Sequence, residues 1–223
     1  MALIDISQHG DVRVLHWADG GDNRFNRASV AAWHEALDEL DAVDGPLAVV
    51  AVGDGKFFSN GLDLDRFAAD EDEAGPTVDG LHRLFGRLLL FGAYTVCAVN
   101  GHAFAGGAML TCGFDARVMR SGRGYWCVPE VDLGLPFTVP MYEVVAARLP
   151  STATQEAMLT GRRYTAEEAL AAGIVDEVAP DDEVLERAIA RAQAVATKDR
   201  SVIARHKQLL FGDAAAACGW PPA

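Results

Sequence analysis

Two short glycine-rich turns are the parts of the sequence whose residue types best suit chemistry. Each follows an apolar run: LAVVAV (47–52) precedes GKFFSNGLDL, and TVCAV (95–99) precedes NGHAFAGGAML. Glycine lets the backbone approach a ligand closely, and the free N–H groups of a turn before a helix stabilise a developing oxyanion. Two such turns side by side would each offer one N–H to the same oxygen. The alternative at this point is that both turns are tight for packing alone.

Other nucleotide-binding and nucleophile motifs are missing from the sequence. GDGKFFSNG (53–61) resembles a phosphate-binding loop, but Phe57 follows Lys56 where that loop carries Ser or Thr. No G-x-G-x-x-G opens a helix and no G-x-S-x-G is present, which argues against a dinucleotide fold and an esterase elbow. The four cysteines are spaced singly. This spacing argues against a zinc site and predicts reduced, buried thiols.

The elements that must position these turns alternate between apolar runs and amphipathic segments. The predicted strands are 2–7, 12–17, 47–52, 95–99 and 116–119, and the predicted helices are 28–42, 81–90, one from about 106, 151–160, 165–172 and 181–197. The polar segment 69–77 (ADEDEAGPT) is predicted to be a mobile acidic loop. This alternation is typical of an α/β fold with a largely parallel sheet. The strand-rich part ends near residue 150, and a helical region follows.

Composition limits the classes of partner. The chain has 223 residues, 50% of them apolar, and a net charge of -13, which argues against nucleic acid and anionic membranes as partners. No apolar run reaches the length of a membrane span. The N-terminal segment has no signal-peptide pattern, and GWPPA is not a peroxisomal signal. The expected location is the cytoplasm.

Three motifs in order resemble the crotonase (enoyl-CoA hydratase/isomerase) family. They are KFFSNGLDL, then AVNGHAFAGGAML, then YWCVPEVDLGLPF, and the resemblance extends over roughly residues 3–210. It implies a spiral of ββα units over 1–150 that holds an acyl-CoA site, with a helical C-terminal region, 151–223, for oligomerisation within one crotonase domain. It also implies a fatty acyl-CoA thioester as substrate, a homotrimer or hexamer, and no metal or redox cofactor.

The same resemblance implies roles for individual residues in the first two turns. The backbone N–H groups of Leu62 and Gly106 would form the oxyanion hole, which needs no particular side chain at either position. Substrate and CoA contacts are implied for a further six residues. These are Phe25, Asn26, Ser59, Asn60, Gly61 and Asp63, of which Asp63 has a second reading as the cap of the following helix.

The family's hydratases use two glutamates, and this chain keeps one of them. Their positions correspond to Met109 and Glu130. Hydration needs one group to activate water and another to manage the α-carbon proton, and a thioether does neither. Moving a double bond needs only one base. The chain therefore resembles most the plant-type Δ3,Δ2-enoyl-CoA isomerases, with Glu130 as the proton shuttle.

Several alternatives stay open from the sequence. The main rival is a hydratase or another crotonase-type reaction, such as thioester hydrolysis or decarboxylation, and the second rival is a non-catalytic acyl-CoA-binding subunit. Asp132 is a competing carboxylate interpreted as a turn or cap residue. His102 is interpreted mainly as structural. A CoA phosphate contact is considered for Lys207 with its neighbours Arg205 and His206, and also for Lys56.

Overall fold

The fold was analysed in a computed structural model that describes residues 2–222. The strands in this range are β1 (Ile4–His9), β2 (Val12–Trp17), β3 (Ala48–Gly53), β4 (Phe57–Ser59), β5 (Tyr94–Val99), β6 (His102–Phe104), β7 (Ala116–Arg120), β8 (Trp126–Cys127) and β9 (Glu177–Ala179). The α-helices are α1 (Arg27–Asp41), α2 (Leu64–Ala69), α3 (Glu71–Leu90), α4 (Gly106–Cys112), α5 (Glu130–Leu133), α6 (Val139–Ala146), α7 (Ser151–Thr160), α8 (Ala166–Ala171), α9 (Val184–Gln193) and α10 (Arg200–Ala217). A short 3₁₀ turn covers Asp181–Glu183.

Two sheets carry the architecture. The larger has the order β1-β2-β3-β5-β7-β9, with only the β1–β2 pair antiparallel, and the smaller has the parallel order β4-β6-β8. Three times the chain runs through a strand of the large sheet, a strand of the small sheet and then a helix. This is the predicted spiral of ββα units, and the prediction of an α/β fold is confirmed.

The large sheet is buried on both faces, as its apolar runs predict. In β3, Val49 and Ala51 face a core shared with α1 and α3, whereas Ala48 and Val50 belong to a second cluster on the opposite face. That second face is covered by alanines of α9. Small side chains let the helix lie close to the strands. Because side chains alternate between the two faces of a strand, a strand that is buried on both faces needs apolar residues at every position, as in LAVVAV.

The acidic segment 69–77 is helical apart from Asp70, which separates α2 from α3, so the expectation of a mobile loop was wrong. Asp70 caps α3 by accepting a hydrogen bond from Asp72 N at 3.1 Å. Three acidic residues then occupy the first turn, where the helix dipole favours negative charge. The acids that suggested a solvated loop are thus the residues that start the helix, and the predicted helix 81–90 is only its second half.

The helical C-terminal region packs against both the large sheet and α3. β9 pairs in parallel with β7 as the edge strand, α9 packs against β5, and α10 packs against α3. No helix among residues 2–222 is long and apolar enough to cross a bilayer. The oligomerisation role predicted for 151–223 stays a prediction.

Candidate functional site

The first glycine turn is held by the segment that follows β2. Phe25 N donates a hydrogen bond to Gly61 O at 2.8 Å, and Asp63 N donates to Phe25 O at 2.9 Å. Phe25 and Leu62 therefore form a short parallel bridge. Because the bonds from Phe25 go to the residues on either side of Leu62, the N–H of Leu62 points away from this segment.

The second glycine turn touches the first. Ala105, with φ 50°, joins β6 to α4, so a non-glycine residue holds a conformation that costs of order 1–3 kcal/mol. Gly61 has φ +78°, and a Cβ there would lie 3.3 Å from Gly106 N and 2.9 Å from the Cβ of Ala105. Glycine is required at position 61 for both reasons.

Two free N–H groups result from this contact. Gly106 is the first residue of α4, and a helix leaves its first N–H groups without intrahelical partners. Within residues 2–222, no backbone acceptor is recorded for the N–H of Leu62 or of Gly106. Both residues line the same cavity. An arrangement of two donors facing one cavity suits an oxygen that gains negative charge.

The cavity beside the turns has a volume of about 380 Å³ and a mainly apolar wall. It is bounded by the first turn, α3, the start of α4 and the stretch from β8 to α6. Its apolar lining includes Leu62, Leu64, Val78, Leu81, Phe85, Phe104, Met109, Leu133, Leu135 and Met141. Polar side chains reach it from Arg24, Asn60, Asp65, His82, Glu130 and Arg163. An apolar chain with a polar head group suits such a cavity.

Glu130 is the buried carboxylate of this cavity. It is the first residue of α5 and is only 3% exposed. Its Oε2 has no hydrogen-bond partner among the described residues. Burial raises the pKa of Glu130 to about 7, against a small opposing effect of its own backbone N–H. A carboxyl with this pKa both takes and returns a proton near neutral pH.

Glu130 is the one buried carboxylate among the residues that line the cavity. Met109 of α4 lines the cavity and is 1% exposed, so the position at which the resemblance implies an acid in hydratases holds a thioether. The other carboxylate of the lining, Asp65, is 89% exposed and is ion-paired with Arg24 at 2.7 Å. Asp132 is not among the lining residues. The cavity therefore holds one buried carboxylate, the imidazole of His82 and two backbone N–H groups that have no backbone acceptor.

Comparison with known proteins gives the family. The model of the enoyl-CoA hydratase/isomerase family matches residues 19–216. The chain belongs to this family. Enoyl-CoA delta isomerase 3 of Arabidopsis thaliana is 31% identical over 207 residues, which are 88% of this chain and 86% of the relative.

Solved structures of the family share the whole fold. An enoyl-CoA hydratase from Mycobacterium ulcerans has a TM-score of 0.90 at 29% identity, with 97% of this chain and 94% of that chain covered. An enoyl-CoA isomerase from Mycobacterium tuberculosis has a TM-score of 0.88 at 29% identity, with the same coverage of both chains. The family fits an acyl-CoA substrate, and its names include both reactions. The choice between them therefore depends on the residues of the site.

The predicted site residues separate into two groups, and of the six implied substrate contacts only Asn60 lines the cavity. Leu62, Asn60, Gly106 and Glu130 line the cavity, so the structure brings together the two turns and the glutamate. Phe25 does not line it. Its ring is fully buried and packs 4.8 Å from the ring of Trp17, which leaves the backbone of Phe25 to hold the first turn.

Three of the remaining implied contacts have local structural partners. Asn26 caps α1 by accepting a hydrogen bond from Ser29 N at 3.0 Å. The buried Ser59 Oγ accepts from Gly61 N at 3.2 Å, so it shapes the first turn. Asp63 caps α2 by accepting from Arg66 N at 3.4 Å, which confirms its reading as a helix cap. Contacts of these residues with CoA stay predictions.

The phosphate contact considered for Lys207 is wrong. Its Nζ lies 2.6 Å from Asp115 Oδ2 and donates a hydrogen bond to Ala93 O at 2.8 Å, and the side chain is 5% exposed. A buried ammonium needs such a partner, and the sequence carries no sign of this long-range pair. His102 Nδ1 accepts a hydrogen bond from Tyr125 N at 3.2 Å, in agreement with a structural role.

Sequence reasoning missed the wall that α3 contributes. Val78, Leu81, His82 and Phe85 line the cavity at spacings of three and four residues, so one stripe of the helix faces it. The signal was present in the sequence, but the helix was predicted to begin only at Leu81. Arg24 and Arg163 also reach the cavity, and nothing in their local sequence marks them.

Proposed function

We propose that the protein converts 3-enoyl-CoA thioesters into 2-enoyl-CoA thioesters. The observation that carries this proposal is the single buried carboxylate: Glu130 has a free oxygen in the cavity, and Met109 stands where a second acid would be needed for hydration. The proposal does not depend on a metal or redox cofactor. The CoA thioester enters as substrate.

The proposed reaction is a proton transfer in two steps. The Glu130 carboxylate takes a proton from C2, and the C2–H electron pair delocalises into a dienolate whose oxygen accepts hydrogen bonds from the N–H groups of Leu62 and Gly106. Glu130 then returns the proton to C4, so that the double bond moves from C3–C4 to C2–C3. Preorganised donors of this kind contribute about 3–4 kcal/mol each to lowering the barrier.

The decisive experiment offers two substrates to two proteins. Wild type and Glu130→Gln are each incubated with a 3-enoyl-CoA and, separately, a 2-enoyl-CoA, and the thioesters are separated by chromatography. We expect wild type to isomerise the first without hydrating the second, and we expect Glu130→Gln to lose about 10²- to 10⁴-fold in rate. Hydration of the 2-enoyl-CoA at a comparable rate would contradict the proposal and indicate that the protein is a hydratase.

We also propose that the protein acts in the cytoplasm as a homotrimer or hexamer. Apolar side chains of α10 support assembly, because Leu209 is 66% exposed and Leu210 is 71% exposed, and paired apolar exposure favours an interface. Light scattering coupled to size-exclusion chromatography measures the mass. A monomer at micromolar concentration would contradict the assembly.

A further inference from the structure

His82 is the polar member of the α3 wall and takes no part in the proposed proton transfer. The helix presents Val78, Leu81 and Phe85 to the cavity together with His82, and the imidazole is half-buried. Burial lowers the pKa of His82. A neutral imidazole in an otherwise apolar stripe needs a hydrogen-bond partner.

The partner of His82 is Thr138, which directly precedes α6. Nε2 of His82 lies 3.2 Å from Thr138 Oγ1. Thr138 is also the N-cap of α6, and its Oγ1 accepts a hydrogen bond from Met141 N at 3.5 Å. The imidazole is thus connected to the N-cap of α6, and the contact joins two helices that each contribute lining residues, His82 from α3 and Met141 from α6.

The segment 134–139 is a thin wall with few other attachments. Leu135 and Val139 are 48% and 63% exposed, although Leu135 also lines the cavity. Leu135 N donates to Glu130 O at 2.9 Å, which is a bond to the preceding helix. Within residues 2–222, the His82–Thr138 contact is the one hydrogen bond that ties this segment to an element other than α5 or α6.

The position of this wall relative to the reacting atoms follows from the lining of the cavity. Arg24, Asn60 and Asp65 come from the side of the first turn, whereas α3 and α6 contribute apolar side chains to the lining, with His82 as the exception. A polar CoA moiety fits the first side and an acyl chain fits the second. The thin wall therefore lies at the acyl end.

We propose that the His82–Thr138 hydrogen bond closes the acyl end of the cavity and sets the longest acyl chain the protein accepts. This inference rests on the proposed function, because it takes the ligand to be an acyl-CoA. A chain that fills the cavity reaches the thin wall, and a longer one must break the contact and move residues 134–139 outward. His82 and Thr138 are specificity-determining residues in this scheme, and neither is required for the proton transfer.

The test uses binding without chemistry, so that it is independent of turnover. Saturated acyl-CoAs of increasing chain length are titrated by calorimetry into wild type, Thr138→Val, His82→Leu and Thr138→Ser. Valine removes the hydroxyl at nearly constant volume, leucine removes the imidazole while filling its space, and serine keeps the hydroxyl. Thermal unfolding of each variant, without ligand, checks that α6 stays folded after the cap is changed.

The expected result is a shift in chain-length preference. Thr138→Val and His82→Leu should both bind the first chain beyond the wild-type optimum about fivefold more tightly relative to a short chain, the equivalent of one net hydrogen bond. Thr138→Ser should keep the wild-type profile. Superimposable profiles for wild type, Thr138→Val and His82→Leu would overturn the inference.

Failure of the inference is distinguishable from failure of the proposed function. If no saturated acyl-CoA binds wild type at any length, the cavity is not an acyl site and both proposals fall. If acyl-CoAs bind and the two variants shift the profile, the inference stands even where isomerisation is absent. If isomerisation occurs and the profile does not shift, only the inference falls.

Discussion

Glu130→Gln is expected to make the folded protein more stable at alkaline pH. The carboxyl is 3% exposed and has an unpartnered oxygen, so ionising it costs free energy that glutamine avoids. A pKa that moves from 4.5 to about 7 corresponds to about 3 kcal/mol, at about 1.4 kcal/mol for each pKa unit. In the proposed function, catalysis and stability therefore oppose each other at this residue.

The sign of the pH dependence follows from proton counting. Between the unfolded and folded pKa values of Glu130, from 4.5 to about 7, the folded state binds more protons than the unfolded state. The free energy of unfolding of wild type therefore falls across this window as pH rises, relative to Glu130→Gln. The gap between the two proteins should be about 3 kcal/mol at pH 8 and about 1 kcal/mol at pH 5.

Thermal unfolding at fixed protein concentration measures this gap. For a chain of this length, about 3 kcal/mol corresponds to a rise of about 6 °C in the Tm of Glu130→Gln at pH 8. Glu35→Gln is a matched control, because it removes an exposed carboxylate of α1 that is not among the cavity-lining residues. A gap that does not change between pH 5 and pH 8, or a less stable Glu130→Gln at pH 8, would refute the assignment of a buried, unpaired carboxyl.

The activity of wild type should follow the same ionisation. Because Glu130 must be a carboxylate to take the C2 proton, kcat/KM for a 3-enoyl-CoA is expected to rise with pH, to reach half its maximum near pH 7, and to stay constant above. Initial rates across this range measure the profile. A rate already constant from pH 5 upward would contradict the role of a base with a raised pKa.

Three further predictions concern the turns, the missing acid and the buried ion pair. Gly61→Ala should lower the isomerase rate about 10²-fold, because its Cβ would meet the second turn. Gly55→Ala, at a similar φ of +73° but in open space, is the control and should lose only stability. Initial rates of the two variants measure the difference. Met109→Glu should add measurable hydration of 2-enoyl-CoA that Met109→Gln does not, as detected by chromatography. Lys207→Met should lower the free energy of unfolding by about 3–5 kcal/mol, because it removes the ionic partner of Asp115. Adding Asp115→Asn should recover part of that loss, as measured by denaturant unfolding. A Lys207→Met variant as stable as wild type would contradict the pairing.

Much of the secondary structure could be predicted from the sequence because it depends on short-range patterns of residues. The continuous apolar run of β3 requires burial on both faces, and the structure has it. Asp63 directly before a helix predicts a cap, which is present. The repeated ββα units could not be found as a regular sequence repeat, because their large-sheet strands begin at the unevenly spaced residues 48, 94 and 116. The unequal spacing comes mainly from the long α3 in the first unit.

The candidate catalytic residues could also be predicted from the sequence, because the prediction uses residue types and not their positions in space. Met109 and Glu130 are known from the sequence, and the prediction of isomerisation over hydration depends on the resemblance that matches them to the two glutamates of hydratases. Backbone donors in two glycine turns are likewise inferable, because Gly61 and Gly106 lie where strands end. What residue types do not contain is the distance between the turns or the surroundings of the carboxyl.

Tertiary structure decided those surroundings. The raised pKa of Glu130 exists only because cavity walls from separate elements, α3 among them, remove water from it. Lys207 changed from a candidate phosphate contact to the buried partner of Asp115, which is 92 positions earlier in the chain. His82 acquired a partner in Thr138, 56 positions away. Burial and pairing depend on contacts between residues far apart in sequence, so local pattern identifies the candidate reacting groups but only the fold determines their energies.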